Sequence, residues 1–115
     1  MAARWEVVDV DFGLPLGHEQ GSRRPSLVVS YDSLARANMA TVCPLTSTAR
    51  KPYPCEIKIP RGVAGLTMDS LLMVHQIRTV DMRRIGRAWG AITDADLRFK
   101  VETELRRLLG LGTAT

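Results

Sequence analysis

Glu6-Val7-Val8-Asp9-Val10-Asp11-Phe12 decides the fold class. Val8, Val10 and Phe12 fall on one face and Val7, Asp9 and Asp11 on the other, the period of two that a half-buried strand requires. Reading outward, the same kind of segment recurs. Ser26 to Tyr31 and Met39 to Leu45 continue the sheet, and Asp32 to Asn38 between them reads as a turn or a single helical turn that Asp32 or Ser33 can cap. Lys51-Pro52-Tyr53-Pro54 breaks the pattern, after which Cys55 to Ile59 alternates and stops at Pro60-Arg61-Gly62. Ser70 to Val74 is a short buried run that leads into His75 to Val80, and Met82 to Gly90 is a further basic, extended segment. Five or six short strands spaced this closely predict a mainly β protein built on a small barrel.

The end of the chain changes period. Thr93, followed by Asp94 and Asp96, predicts a helix N-terminus with acidic residues where the helix dipole favours them. Leu97, Val101, Leu105, Leu108 and Leu109 then share one face, and Gly110 ends the helix. Such a helix packs on the barrel, leaving Arg98, Glu102, Arg106 and Arg107 on a solvated face.

At 115 residues the chain has room for a single core, and one domain over 1–115 is expected. No apolar stretch approaches the ~20 residues needed to cross a bilayer. The start, Met1-Ala2-Ala3-Arg4-Trp5-Glu6, lacks the apolar core of an export signal, so a cytoplasmic protein without membrane attachment is expected. Sixteen Lys and Arg against twelve Asp and Glu leave a net charge of +4, carried mostly by arginine, and an anionic partner is consistent with it. Cys43 and Cys55 form no Cys-x-x-Cys and have only His18 and His75 for company. A structural zinc site wants four closely spaced ligands, so both are expected to be core thiols, with no metal and no cofactor.

Chemistry gathers at two strand ends. Pro15 to Pro25 (Pro-Leu-Gly-His-Glu-Gln-Gly-Ser-Arg-Arg-Pro) is a polar, Gly-punctuated loop that delivers Arg24 to the start of a strand, with Pro25 biasing it toward extended geometry. Met39 to Leu45 ends in Thr46-Ser47-Thr48-Ala49-Arg50-Lys51, a second hydroxyl-rich and basic end. On neighbouring strands the two would converge on one phosphate. In the absence of a sequence cluster of metal donors, phosphodiester cleavage there points to RNA, which carries its own nucleophile in the 2'-hydroxyl. Arg24 suits the growing charge of a phosphorane, Thr46 can add a hydroxyl donor, and an arginine is a better clamp or acid than a base. His18 and Glu19 titrate in a more useful range for proton transfer.

This arrangement resembles the MazF/PemK/Kid family of toxin endoribonucleases. The residues that carry the resemblance are Val10-Asp11-Phe12, Gly17-His18-Glu19-Gln20-Gly21 with Arg24-Pro25, Pro44-Leu45-Thr46-Ser47, and Gln76-Ile77-Arg78-Thr79-Val80-Asp81. They stand in the family's order across almost the whole chain. The resemblance implies a small SH3-like barrel of the PemK/CcdB type with a C-terminal packing helix, and catalytic roles for Arg24 and Thr46. RNA contacts are expected from His18, Glu19, Gln20, Arg23, Ser47, Arg50, Tyr53, Gln76 and Arg78, with Tyr53 as a stacking platform and Trp5 and Trp89 as core or dimer contacts. His18 stands where family members often carry serine, and His75 where an acidic residue is common. The implied function is a sequence-selective mRNA interferase, metal-independent, leaving 2',3'-cyclic phosphate and 5'-hydroxyl ends. Implied partners are single-stranded RNA, a second copy of the chain, and a MazE-like antitoxin with an acidic, disordered tail. Two alternatives share the fold: a CcdB-like gyrase poison, against which the Arg-Pro and Thr-Ser pairs argue, and a noncatalytic RNA-binding module.

Overall fold

The computed structural model describes residues 2–14, 16–17, 22–47 and 49–112. The alternating segments become seven antiparallel strands: β1 (Glu6–Asp11), β2 (Arg23–Val28), β3 (Met39–Thr46), β4 (Glu56–Ile59), β5 (Ser70–Met73), β6 (Arg78–Asp81) and β7 (Ile85–Ala91). A C-terminal helix, α1 (Ala95–Leu108), follows. The order across the sheet is β4-β5-β3-β2-β1-β7, with β6 paired to β3 off that path. The expected five or six strands become seven because short 3-10 turns at Val74–Gln76 and Met82–Arg84 cut the last third of the chain into β5, β6 and β7. Asp81 accepts the Arg83 amide at 2.8 Å and so caps the second of these turns.

β3 is the pivot. Met39 to Val42 pair with Asp81 to Arg78 of β6, whereas Leu45 and Thr46 pair with Leu72 and Leu71 of β5. Pro44 falls between the two partners, where a missing N–H disturbs a central strand least. The exchange of partners bends the sheet into an open, barrel-like form and swings the β4–β5 hairpin around the end of β3.

β1 shows why a polar face is not needed. Val8, Val10 and Phe12 enter one buried cluster with Val28, Ala40, Val42 and Val80. Val7, on the opposite face, is fully buried in a second cluster with Leu27, Cys43, Leu45, Ile59 and Leu72. The curled sheet thus encloses one core and presents its other face to β4, β5 and α1, so the expected half-buried β1 is covered on both sides. Each fully buried aliphatic side chain contributes about 1.5–3 kcal/mol.

Helix α1 contributes Leu97 and Val101 to the second cluster, with Leu105 partly covered. Leu108 and Leu109, expected on the same buried face, are exposed because the helix runs past the edge of the sheet. Its N-cap is Asp94 rather than Thr93: the Asp94 carboxylate accepts the Leu97 amide at 2.9 Å. Arg98 is drawn in from the expected solvated face, donating from Nε to the Ile92 carbonyl at 2.7 Å and lying over the Trp5 ring. Asp32 does not cap its 3-10 turn (Asp32–Ala37) but accepts the Arg4 amide at 2.8 Å.

The turn at Val63–Gly65 matters for the site. Gly65 has φ +76°, and a Cβ there would stand 2.4 Å from the Trp89 carbonyl oxygen. Gly90, facing it on β7, has the same restriction against Ala64. Two glycines let backbone meet backbone, and the segment Leu66-Thr67-Met68 is thereby held beside β3.

Candidate active site

Arg24 and Thr46 meet across two strands. In the β2–β3 register Ser26 faces Pro44; Arg24 lies two positions before Ser26 and Thr46 two after Pro44, so both take the face of that pair. Both line a cavity of about 340 Å³ whose walls include Pro25, Leu45, Ser47, Leu66, Met68, Ser70 and Trp89. The expectation that two basic, hydroxyl-bearing strand ends converge is therefore met within one chain. β1 braces the clamp from behind, with Val10 opposite Arg24 and Asp9 opposite Pro25. Asp9 also accepts the Trp89 indole N–H at 2.8 Å, which ties the β7 wall of the cavity to the strand behind Arg24.

A guanidinium and two hydroxyl groups at a half-buried site offer donors from several directions to a nonbridging phosphate oxygen. The apolar wall of Leu66, Met68 and Trp89 offers a base or ribose a surface to pack against. Sequence reading missed this wall. Trp89 carried a signal as the aromatic inside a basic strand, but nothing in the order of residues says that a turn forty residues from Arg24 in sequence closes over it.

Ser47 also lines a second, larger cavity of about 770 Å³, with Ala49, Arg50, Lys51, Pro52, Lys58, Arg61, Thr67, Met68, Asp69, Ser70 and Leu71. The shared residues Ser47, Thr67, Met68 and Ser70 make the two cavities one continuous groove.

Arg50 is differently employed from the expectation. Its Nη1 and Nη2 donate to the two carboxylate oxygens of Glu56 at 2.6 and 2.9 Å, and its guanidinium lies 4.1 Å from the Tyr53 ring centroid. The Glu56 side chain is almost wholly buried and also accepts the Tyr53 amide at 2.9 Å. The hydrogen-bonded Arg50 guanidinium, aided by that amide, holds the Glu56 carboxyl below its ordinary range against the opposing effect of burial. Glu56 in turn holds the Arg50 proton more tightly. This pair pins the loop between β3 and β4. Glu56 is the one acid of β4 and shares a strand face with Lys58.

The remaining expected RNA contacts separate from the cavity. Arg23 leans over β7, where its Nη1 lies 2.9 Å from the place a Cβ on Gly86 would take. Arg78 opens β6 opposite Val42 and stands over the Phe12 ring at 5.4 Å, and Gln76 lies in the preceding 3-10 turn. Neither is part of the Arg24–Thr46 cavity wall. Tyr53 is exposed, as a stacking platform needs to be, with Arg50 on one face. His18, Glu19 and Gln20 lie outside the described residues. Trp5 is buried in the core, whereas Trp89 is half-buried at the cavity. Cys43 is a core thiol pushed up to about 12 by burial; Cys55 is a free thiol only partly covered. Among the described residues no three His, Cys, Asp or Glu side chains stand close enough to hold a metal ion.

Comparison with known proteins agrees with this geometry. The family model of the PemK-like, MazF-like toxins of type II toxin-antitoxin systems matches residues 3–109. Endoribonuclease MazF9 of Mycobacterium tuberculosis is 33% identical over 106 residues, spanning 84% of this chain and 87% of its own. The crystal structure of MazF from Deinococcus radiodurans superposes with a TM-score of 0.78 at 33% identity, covering 96% of this chain and 97% of that one. A MazE-MazF structure from the same organism matches with a TM-score of 0.75 at 29% identity, covering 96% and 98%. Strand order, the Arg24–Thr46 juxtaposition and these matches lead to one conclusion: the chain belongs to the PemK-like, MazF-like family of type II toxins.

Proposed function

We propose that this chain is the toxin of a toxin-antitoxin pair, an endoribonuclease that cuts single-stranded RNA at selected sequences and so halts translation and growth. The observation that carries the reading is the meeting of Arg24 and Thr46 in one cavity, in a chain whose relatives include proteins named endoribonucleases.

In this reading Arg24 binds a nonbridging oxygen of the scissile phosphate and Thr46 donates to the same group, Ser47 standing beside it. The ribose 2'-hydroxyl gives its proton to a base and attacks phosphorus in line, the P–O5' bond breaks as O5' takes a proton from a neighbouring acid or water, and the products carry a 2',3'-cyclic phosphate and a 5'-hydroxyl. The reaction needs no metal, since the nucleophile belongs to the substrate and the charge is met by fixed donors. The attacking hydroxyl needs a base; an arginine side chain is a better clamp or acid than a base, so His18 or Glu19 is the candidate to assist that proton transfer or substrate docking. An unchanged pH–rate profile in His18→Ala would remove His18 from the role.

A MazE-MazF structure among the neighbours supports an antitoxin as the natural partner, its acidic segment competing with RNA for a basic groove. A homodimer acting in the cytoplasm, as one domain, completes the reading; among the described residues no helix is long and apolar enough to cross a membrane. The test is to incubate the protein with a long unstructured RNA, and with the matching DNA, in EDTA. Discrete RNA cuts ending in cyclic phosphate, absent on DNA and absent with Arg24→Ala, are the expected result. Intact RNA over many sequences would shift the reading to a CcdB-like poison or a silent RNA-binding module.

A further inference from the structure

We propose that Lys58 and Arg61 form a phosphate-binding extension of the Arg24–Thr46 site, holding the backbone of single-stranded RNA beyond the bond that is cut. The inference rests on the substrate assigned above and adds two residues to its path.

The first support is register. Thr46 of β3 faces Leu71 of β5, and Leu71 faces Lys58 of β4. Residues directly opposite in adjacent antiparallel strands point to the same face, so Thr46, Leu71 and Lys58 make one row across three strands, with Arg24 of β2 in the cavity beside Thr46. Two strand spacings separate Thr46 from Lys58, roughly 10 Å, a reach suited to a neighbouring part of the same extended strand. Ile57 and Ile59 turn inward on either side, which forces Lys58 outward. Leu71, nearly buried, is the floor between the two sites.

The second support is charge. Arg50, Lys51, Lys58 and Arg61 line the 770 Å³ cavity, and Arg50 is neutralised by Glu56. That leaves three cations against the single carboxylate of Asp69, with none of the three in a salt bridge among the described residues. Asp69 spends one oxygen on the Arg61 amide at 2.8 Å. The bond sets the turn after β4, which is closed further by Gly62 donating to the Leu66 carbonyl at 2.8 Å. Arg61 therefore projects from a held turn into a groove continuous with the Arg24 cavity. That continuity puts the groove on the path of an RNA strand whose scissile phosphate lies at Arg24 and Thr46.

The test uses a 2'-O-methyl oligonucleotide, which lacks the attacking hydroxyl, in a long form and in a form just long enough to fill the Arg24–Thr46 cavity. Binding is measured from low to moderate salt for the wild type, for the Lys58→Ala/Arg61→Ala double variant and for the Lys58→Arg/Arg61→Lys swap. The double variant is expected to bind the long oligomer at least tenfold more weakly, with its salt slope reduced by about 0.7 for each lost phosphate contact. Its binding of the short oligomer and its melting temperature should be unchanged, and the swap should keep the slope. An unchanged slope on the long oligomer overturns the proposal, as does an equal loss on both lengths. Loss of binding to polyglutamate with RNA binding intact would overturn it in favour of a protein partner. Because the oligomer cannot be cut, a failure of the cleavage reading leaves this result separately interpretable.

Discussion

Arg24 and Arg50 share a side-chain type, a place at a strand end and an expected role at phosphate, and the fold gives them different work. Arg24 stands at the mouth of a cavity walled by hydroxyls and apolar side chains. Arg50 meets a buried carboxylate within hydrogen-bonding distance and stacks on an exposed tyrosine. A guanidinium is committed by the nearest anion that is already in place. Glu56 sits there permanently, so Arg50 holds the loop wall, while Arg24 lines the cavity where a phosphate would arrive.

The sharpest way to break this comparison is to exchange the two losses. Arg24→Ala should lower RNA cleavage by about 10³-fold, the scale for removing a charged transition-state donor, while lowering the melting temperature less than Glu56→Ala does. Fragment mapping and a thermal melt on one preparation decide it, and a large fall in melting temperature would show that Arg24 is structural. Glu56→Ala should do the reverse. Losing three hydrogen bonds to a charged acceptor is expected to cost about 2 kcal/mol, read as a drop of several degrees in the melt, with cleavage by the folded fraction reduced only a few fold.

Titration sharpens the same contrast. The Glu56 carboxyl is held below its ordinary range in the folded chain by Arg50. Its contribution is thus fully present above the ordinary glutamate pKa of ~4.3 and fades as pH falls through the lower folded value. The stability gap between wild type and Glu56→Gln should be constant from neutral pH to about pH 5 and close below about pH 4. A gap that persists at acid pH would mean that shape, not charge, holds the loop. The smallest effect is expected from Arg23→Ala. Its side chain leans over Gly86 and away from the cavity, so cleavage should change by less than about threefold, the scale of an exposed charge. A loss approaching that of Arg24 would place the phosphate path over β7.

Much of the architecture was legible because strands and amphipathic helices announce themselves locally. The alternation in Glu6–Phe12, the proline breaks at Pro52 and Pro54, and the Leu97–Val101–Leu105 stripe are each readable within one or two turns of chain. The errors were local too. Thr93 and Asp94 are both competent caps, and only the trajectory off β7 chooses between them. Ser70 to Val74 reads as leading straight into His75 to Val80, until a 3-10 turn at Val74–Gln76 divides them.

What the sequence determined by itself was the residue chemistry and the periodicity: strand-forming segments, one terminal helix, and Arg24 and Thr46 each at the end of an apolar run. Only the tertiary structure decided which of those groups meet. The β2–β3 register sets Thr46 on the same face as Arg24, the exchange of partners along β3 sets it in line with Lys58, and the glycine contact at Gly65 and Gly90 brings the Leu66–Met68 wall over them. It also decided that Arg50 belongs to Glu56. The physical reason is that a strand's period specifies which face a side chain takes, whereas its neighbours across the sheet depend on register and bend, which are properties of several strands packed at once.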